Sequence, residues 1–65
     1  MTLHLEVIMP VYNEAKTVKE IARRVLAQGC VSRLIAVDDG SADGTFAALE
    51  ALARADDRVL VLRHM

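Results

Sequence analysis

Two stretches of this sequence hold residue types that do chemistry. Pro10-Val11-Tyr12-Asn13-Glu14 joins an aromatic ring to a carboxylate. Asp38-Asp39-Gly40-Ser41-Ala42-Asp43-Gly44-Thr45 gathers three acids, two glycines and two hydroxyls. A tyrosine ring can stack on a planar base, and Asp38 offers an acceptor for an imide or amide N–H. Glu14 and Asp39 are placed to reach sugar hydroxyls, while Gly40 and Gly44 let the backbone turn or come close. If both stretches open on one crevice, the result is a base-and-ribose site without a phosphate cradle. The charge of a diphosphate would then have to be met by a metal.

Other chemistries fit less well. Gly40-Ser41-Ala42-Asp43-Gly44-Thr45 has the look of a phosphate loop, but the lysine is missing and Asp43 would repel a phosphate. No Gly-x-Gly-x-x-Gly follows the first apolar run. Asp39, Ser41, Asp43, Gly44 and Glu50 match calcium-loop positions 1, 3, 5, 6 and 12. That loop needs a helix before it, whereas Arg33-Leu34-Ile35-Ala36-Val37 reads as strand. Plainer readings stand beside the functional ones. Tyr12 would pack on the first helix, and Asp39 and Ser41 would be turn formers. His4 and His64 are surface residues, since two isolated histidines make no metal site. Lys16, Lys19, Arg23 and Arg24 form a solvated face.

The elements that must position these groups follow from periodicity. Leu3 to Met9 alternates at first and then turns apolar, which predicts a strand ended or distorted by Pro10. Thr17 and Glu20 fit a capping box. Val18, Ile21, Ala22, Val25 and Leu26 then make one apolar helical stripe, closed by Gly29 as a left-handed residue. Arg33 to Val37 is a continuous apolar run, as in a parallel strand covered on both faces. Asp43 or Ser41 caps a second helix bearing Phe46, Leu49, Leu52 and Ala53 on one side, which Asp56-Asp57 breaks. Val59 to Leu62 is the third strand. The order β-α-β-α-β implies an α/β fold with three parallel strands and right-handed crossovers. The polar loops then lie at the carboxyl edge, where open α/β sheets bind ligands. Buried-type strands with open edges suggest the first part of a larger domain and a tendency to self-associate.

Composition narrows the field. Sixty-five residues make at most one domain with a modest core. The hydrophobic fraction of 54%, much of it alanine, marks a globular chain. A net charge of −1 with alternating signs gives no basic patch for nucleic acid. No run approaches a membrane span, and no basic stretch precedes the first apolar residues as in a signal peptide. The single cysteine, Cys30, leaves no internal disulfide and suits a reducing cytoplasm as a structural thiol.

Val7-Ile8-Met9-Pro10-Val11-Tyr12-Asn13-Glu14, followed by Val37-Asp38-Asp39-Gly40-Ser41-Ala42-Asp43-Gly44-Thr45, resembles the N-terminus of family 2 glycosyltransferases. The likeness runs from about Leu5 to Leu62, and its wording is especially similar to the dolichyl- or polyprenyl-phosphate mannosyltransferase branch. It implies a GT-A, Rossmann-like fold and inverting transfer from a nucleotide-sugar donor to an acceptor hydroxyl or lipid phosphate. It further implies that Pro10, Tyr12 and Glu14 line the nucleotide pocket, that Asp38 binds the base, and that Asp39 lies beside it. The family's Asp-x-Asp metal motif and catalytic base have no counterpart here. Residues 1–65 would thus be a partial donor-binding domain, inactive alone, with Mg or Mn held by ligands elsewhere. The contrasting expectation is a non-catalytic, self-associating α/β fragment, with a calcium loop at Asp39–Glu50 more remote.

Overall fold

The computed structural model describes residues 4–64. Strand β1 (Leu5–Val11), helix α1 (Val18–Leu26), strand β2 (Val31–Asp38), helix α2 (Thr45–Ala55) and strand β3 (Val59–Arg63) follow in that order. The strands form one parallel sheet in the spatial order β1-β2-β3. Parallel neighbours need crossovers, and each helix supplies one. Both crossovers step in the same direction across the sheet. Their common right-handedness therefore puts both helices on the same face.

Register fixes what that face holds. Val7, Leu34 and Val59 lie side by side, then Met9, Ala36 and Val61, then Val11, Asp38 and Arg63. Leu34 and Val59 pack with Ala22 and Leu26 of α1, while Val11 and Ala36 pack with Val18 and Leu49. Leu34, Ala36 and Leu49 are wholly buried, so the core sits between the helices and the central strand. The opposite face is bare. Ile8 is 68% exposed, Leu60 and Leu62 are exposed, and Glu6 faces Arg33 at 3.8 Å.

Several local expectations are corrected. The part of the predicted first strand at Leu3 lies outside the described residues, and β1 runs through Pro10 to Val11. The reason is hydrogen-bond polarity. Leu5 N–H donates to Cys30, and Val11 C=O accepts from Asp39 N–H, so odd-numbered residues face β2. Pro10 points its missing donor at the free edge, where it breaks no bond of the described ladder. Thr17 stands at the start of α1 without capping it by side chain. Its hydroxyl donates to Glu14 Oε2, Glu20 pairs with Arg24, and the Glu14 carbonyl accepts both Thr17 N–H and Val18 N–H. Gly29 is not left-handed; α1 closes on Ala27 in right-handed conformation. Ile21, expected in the stripe, is exposed beside β1.

Candidate nucleotide-binding edge

Two loops leave the carboxyl ends of β1 and β2, and side chains clasp one to the other. Asn13 N–H donates to Ser41 Oγ at 2.8 Å, and Ala42 N–H donates back to Asn13 Oδ1 at 2.9 Å. Glu14 N–H donates to Thr45 Oγ1 at 2.8 Å, and Ala15 N–H to Asp43 Oδ2 at 3.2 Å. The Thr45 hydroxyl donates in turn to Asp43 Oδ1, which also accepts Thr45 N–H at 3.0 Å. The cap position of α2 is Gly44, not Asp43 or Ser41 as expected, and Asp43 accepts Thr45 N–H from one residue before it. Ser41 is spent on the other loop. Asn13, Gly40 and Gly44 have positive φ. Gly40 and Gly44 supply the turns cheaply, and Asn tolerates the left-handed region better than most residues.

The clasp perturbs Asp43. The Thr45 hydroxyl holds its carboxyl below the usual carboxylate range, burial opposes this, and the N–H groups of Ala15 and Thr45 add to it. Asn13, Ser41, Asp43 and Thr45 are the residues that sequence reasoning missed as a working unit. They were legible only as separate turn and cap formers, because their partners lie 28 to 31 residues away along the chain.

What remains free for a ligand is set by pleat. Val11, Asp38 and Arg63 share one register position on the helix side. The next position holds Tyr12, Asp39 and His64, one from each strand end. Asp39 N–H donates to Val11 C=O and His64 N–H to Asp38 C=O, so the ladder continues to this row. Tyr12 is 60% exposed. The Asp39 and His64 side chains are 66% and 77% exposed, and Asp39 Oδ1 lies 3.0 Å from His64 Nδ1.

Asp38 is placed differently from Asp39. It is fully buried, and neither carboxylate oxygen has a hydrogen-bond partner among the described residues. Arg63 Nε lies 3.5 Å from Oδ2, a Coulombic contact without a hydrogen bond, while the Arg63 guanidinium covers the Phe46 ring at 4.5 Å. Pro10 and Glu14 sit apart from the Tyr12–Asp39–His64 row, in a cleft of about 110 Å³ that they share with Met9, Val11, Val18 and Ile21. A wider depression of about 330 Å³, lined by Phe46, Glu50, Arg54 and Val59, holds none of the candidate residues.

The calcium-loop alternative meets a strand where it needs a helix, and Glu50 lies inside α2. Among the described residues no group of three or more His, Cys, Asp or Glu side chains is gathered to hold a metal. The described side chains by themselves do not fit a divalent cation. No described helix is long and apolar enough to cross a membrane.

Three parallel strands with two crossover helices, and clasped loops at the carboxyl edge, define an α/β, Rossmann-like arrangement. The family model described as glycosyl transferase family 2 matches residues 6–65, and the chain belongs to that family. No curated protein and no solved structure matches it.

Proposed function

We propose that the chain is the nucleotide-binding part of an inverting glycosyltransferase that uses a nucleotide-sugar donor. The observation that supports this reading is the exposed group Tyr12, Asp39 and His64 just past the strand ends, where backbone hydrogen bonds hold Asp39 to Val11 and His64 to Asp38, in a family 2 chain. Tyr12 offers its ring to the base, and Asp39 accepts a base N–H. Pro10 and Glu14 line a cleft apart from that group, and Glu14 is the candidate for the sugar hydroxyls. Asp38, which the family resemblance gives to the base, is buried beside the row with neither carboxylate oxygen hydrogen-bonded among the described residues, and it stays a candidate acceptor for the base.

The acceptor is a hydroxyl or a lipid phosphate, the latter in keeping with the polyprenyl-phosphate mannosyltransferase wording of the motifs. A divalent cation, Mg or Mn, would supply charge for the leaving diphosphate, held by groups other than those described. The described residues contribute binding and orientation, so the chain alone is expected to bind donor without turning it over, in a cytoplasmic setting. A second reading, a self-associating non-catalytic α/β unit, is favoured by the bare sheet face at Ile8, Leu60 and Leu62.

Titration of the isotope-labelled chain with uridine and guanosine diphosphates, followed by NMR, tests the proposal. Shifts should centre on Tyr12, Asp39 and Gly40. Tyr12→Ala and Asp39→Ala should each weaken binding by about 1–3 kcal/mol, the range for a stacked ring or a charged hydrogen bond. Equal affinity in the unaltered chain and in both variants would remove the site.

A further inference from the structure

His64 has no role in the family reading above, yet it makes the one side-chain hydrogen bond that Asp39 has among the described residues. We infer that His64 is a specificity-determining positioning residue, orienting Asp39 to accept the lone imide N–H of a uracil-type base. The inference rests on the nucleotide-binding reading of the Tyr12–Asp39 edge.

The histidine's place is set by backbone. It follows β3 directly, and its N–H donates to Asp38 C=O at 2.8 Å, so its Cα is held one register step past Arg63. Its Nδ1 lies 3.0 Å from Asp39 Oδ1. An ionised carboxylate only accepts, so Nδ1 must carry the hydrogen of this contact. Both side chains are mostly exposed. An exposed pair of this kind adds little to stability, and its consequence is directional. One oxygen of Asp39 is occupied, and Oδ2 is left for a ligand.

That asymmetry discriminates between bases. Guanine presents two neighbouring donors, N1–H and the exocyclic amine, which a carboxylate meets best with both oxygens free. Uracil presents one N–H flanked by two carbonyl oxygens. Against uracil, a bare second carboxylate oxygen would face a carbonyl and repel it. With the His64 N–H on Oδ1, that repulsion is reduced and Oδ2 takes the imide hydrogen.

The test measures dissociation constants of uridine diphosphate and guanosine diphosphate for the full chain by NMR titration. The variants are His64→Ala, His64→Asn and Asp39→Ala. Asparagine can place an amide N–H near the Nδ1 position. The unaltered chain should prefer uridine diphosphate. His64→Ala should weaken that ligand about tenfold, the scale of one charge-assisted hydrogen bond, with guanosine diphosphate unchanged or tighter. His64→Asn should restore the preference. A role in folding alone would lower affinity for both ligands together, and that result overturns the inference. So does an unchanged uridine-to-guanosine ratio in His64→Ala while Asp39→Ala still loses both ligands, which leaves the nucleotide reading intact. If Asp39→Ala loses neither ligand, the nucleotide reading fails and the inference with it.

Discussion

The hydroxyl of Thr45 accepts the backbone N–H of Glu14 at 2.8 Å across 31 residues of sequence, and the same hydroxyl donates to Asp43. Thr45 is wholly buried at the first turn of α2. One small side chain thus joins the loop after β1 to the helix after β2. Replacing it with valine keeps shape and removes both hydrogen bonds, leaving Glu14 N–H without its acceptor. Thr45→Val should cost about 1–3 kcal/mol of stability, read by urea unfolding, while Thr45→Ser should recover most of it. Equal midpoints for Thr45→Val and the unaltered chain would show that the clasp does not hold the loops.

Acid should loosen the same region and one other. Asp56 is drawn down to about 2 by hydrogen bonds from the Arg58 side chain and backbone. Arg58 also donates to the Leu26 carbonyl at 3.1 Å, tying the end of α1 to the turn before β3. Asp43 is lowered too, chiefly by Thr45. Both carboxylates bind protons less readily folded than unfolded. Their contribution is therefore complete above the ordinary value of 3.8 and is lost as pH falls through the folded values, toward about 2 for Asp56. Thermal melts should show stability falling below pH 4. The fall should be shallower in Asp43→Asn and Asp56→Asn, and slopes equal to that of the unaltered chain would refute the assignment.

The element order was legible because it depends on runs of apolar residues, and the three strands and two helices lie where those runs are. Pro10 was not legible as a strand residue, because which way a residue's N–H points depends on its neighbour, and Cys30 and Asp39, at the two ends of β2, set that polarity. Thr17 failed as a cap because the Glu14 carbonyl and carboxylate reached the same turn first. The pair Asp38-Asp39 shows what parity adds. Leu34, Ala36 and Asp38 alternate onto the helix side, so a buried Asp38 follows from counting by two once the buried side is known. A continuous apolar strand conceals which side that is. His64 carried no signal at all, since its partner is 25 residues away.

Asp38 and Arg63 should respond unequally to substitution. Asp38 is buried, whereas the Arg63 side chain is 40% exposed. Removing the carboxylate leaves a guanidinium that water and the Phe46 ring still stabilise. Removing the guanidinium leaves a buried charge alone. Arg63→Met should therefore destabilise by about 2 kcal/mol, below the range for fully buried pairs because water reaches the arginine. Asp38→Asn should cost less, and the double variant should recover part of the loss. A double-mutant cycle in which Asp38→Asn is the more damaging change would show that the carboxylate has another partner.

The bare face of the sheet predicts association. Ile8, Ile35 and Leu60 share one register position across the three strands, followed by Pro10, Val37 and Leu62. Ile8, Leu60 and Leu62 are exposed, and Ile35 and Val37 are half-buried only by their neighbours in the sheet. Both helices lie on the other side, so no described element covers this surface. Apolar area withdrawn from water contributes about 25 cal/mol per Å², and a chain of this size has little stability to spare. Pairing two such faces would bury the row without disturbing the helices, and a closed two-fold pair is the commonest arrangement. Sedimentation of the chain at micromolar concentration should show a species larger than the monomer. Ile8→Lys combined with Leu60→Lys should return it to the monomer, because two charged groups would then be carried into an apolar contact. Neither residue belongs to the buried core clusters, so helical circular dichroism should survive the change. A monomer before substitution, at concentrations where the fold is intact, would mean that the sheet tolerates water on this face.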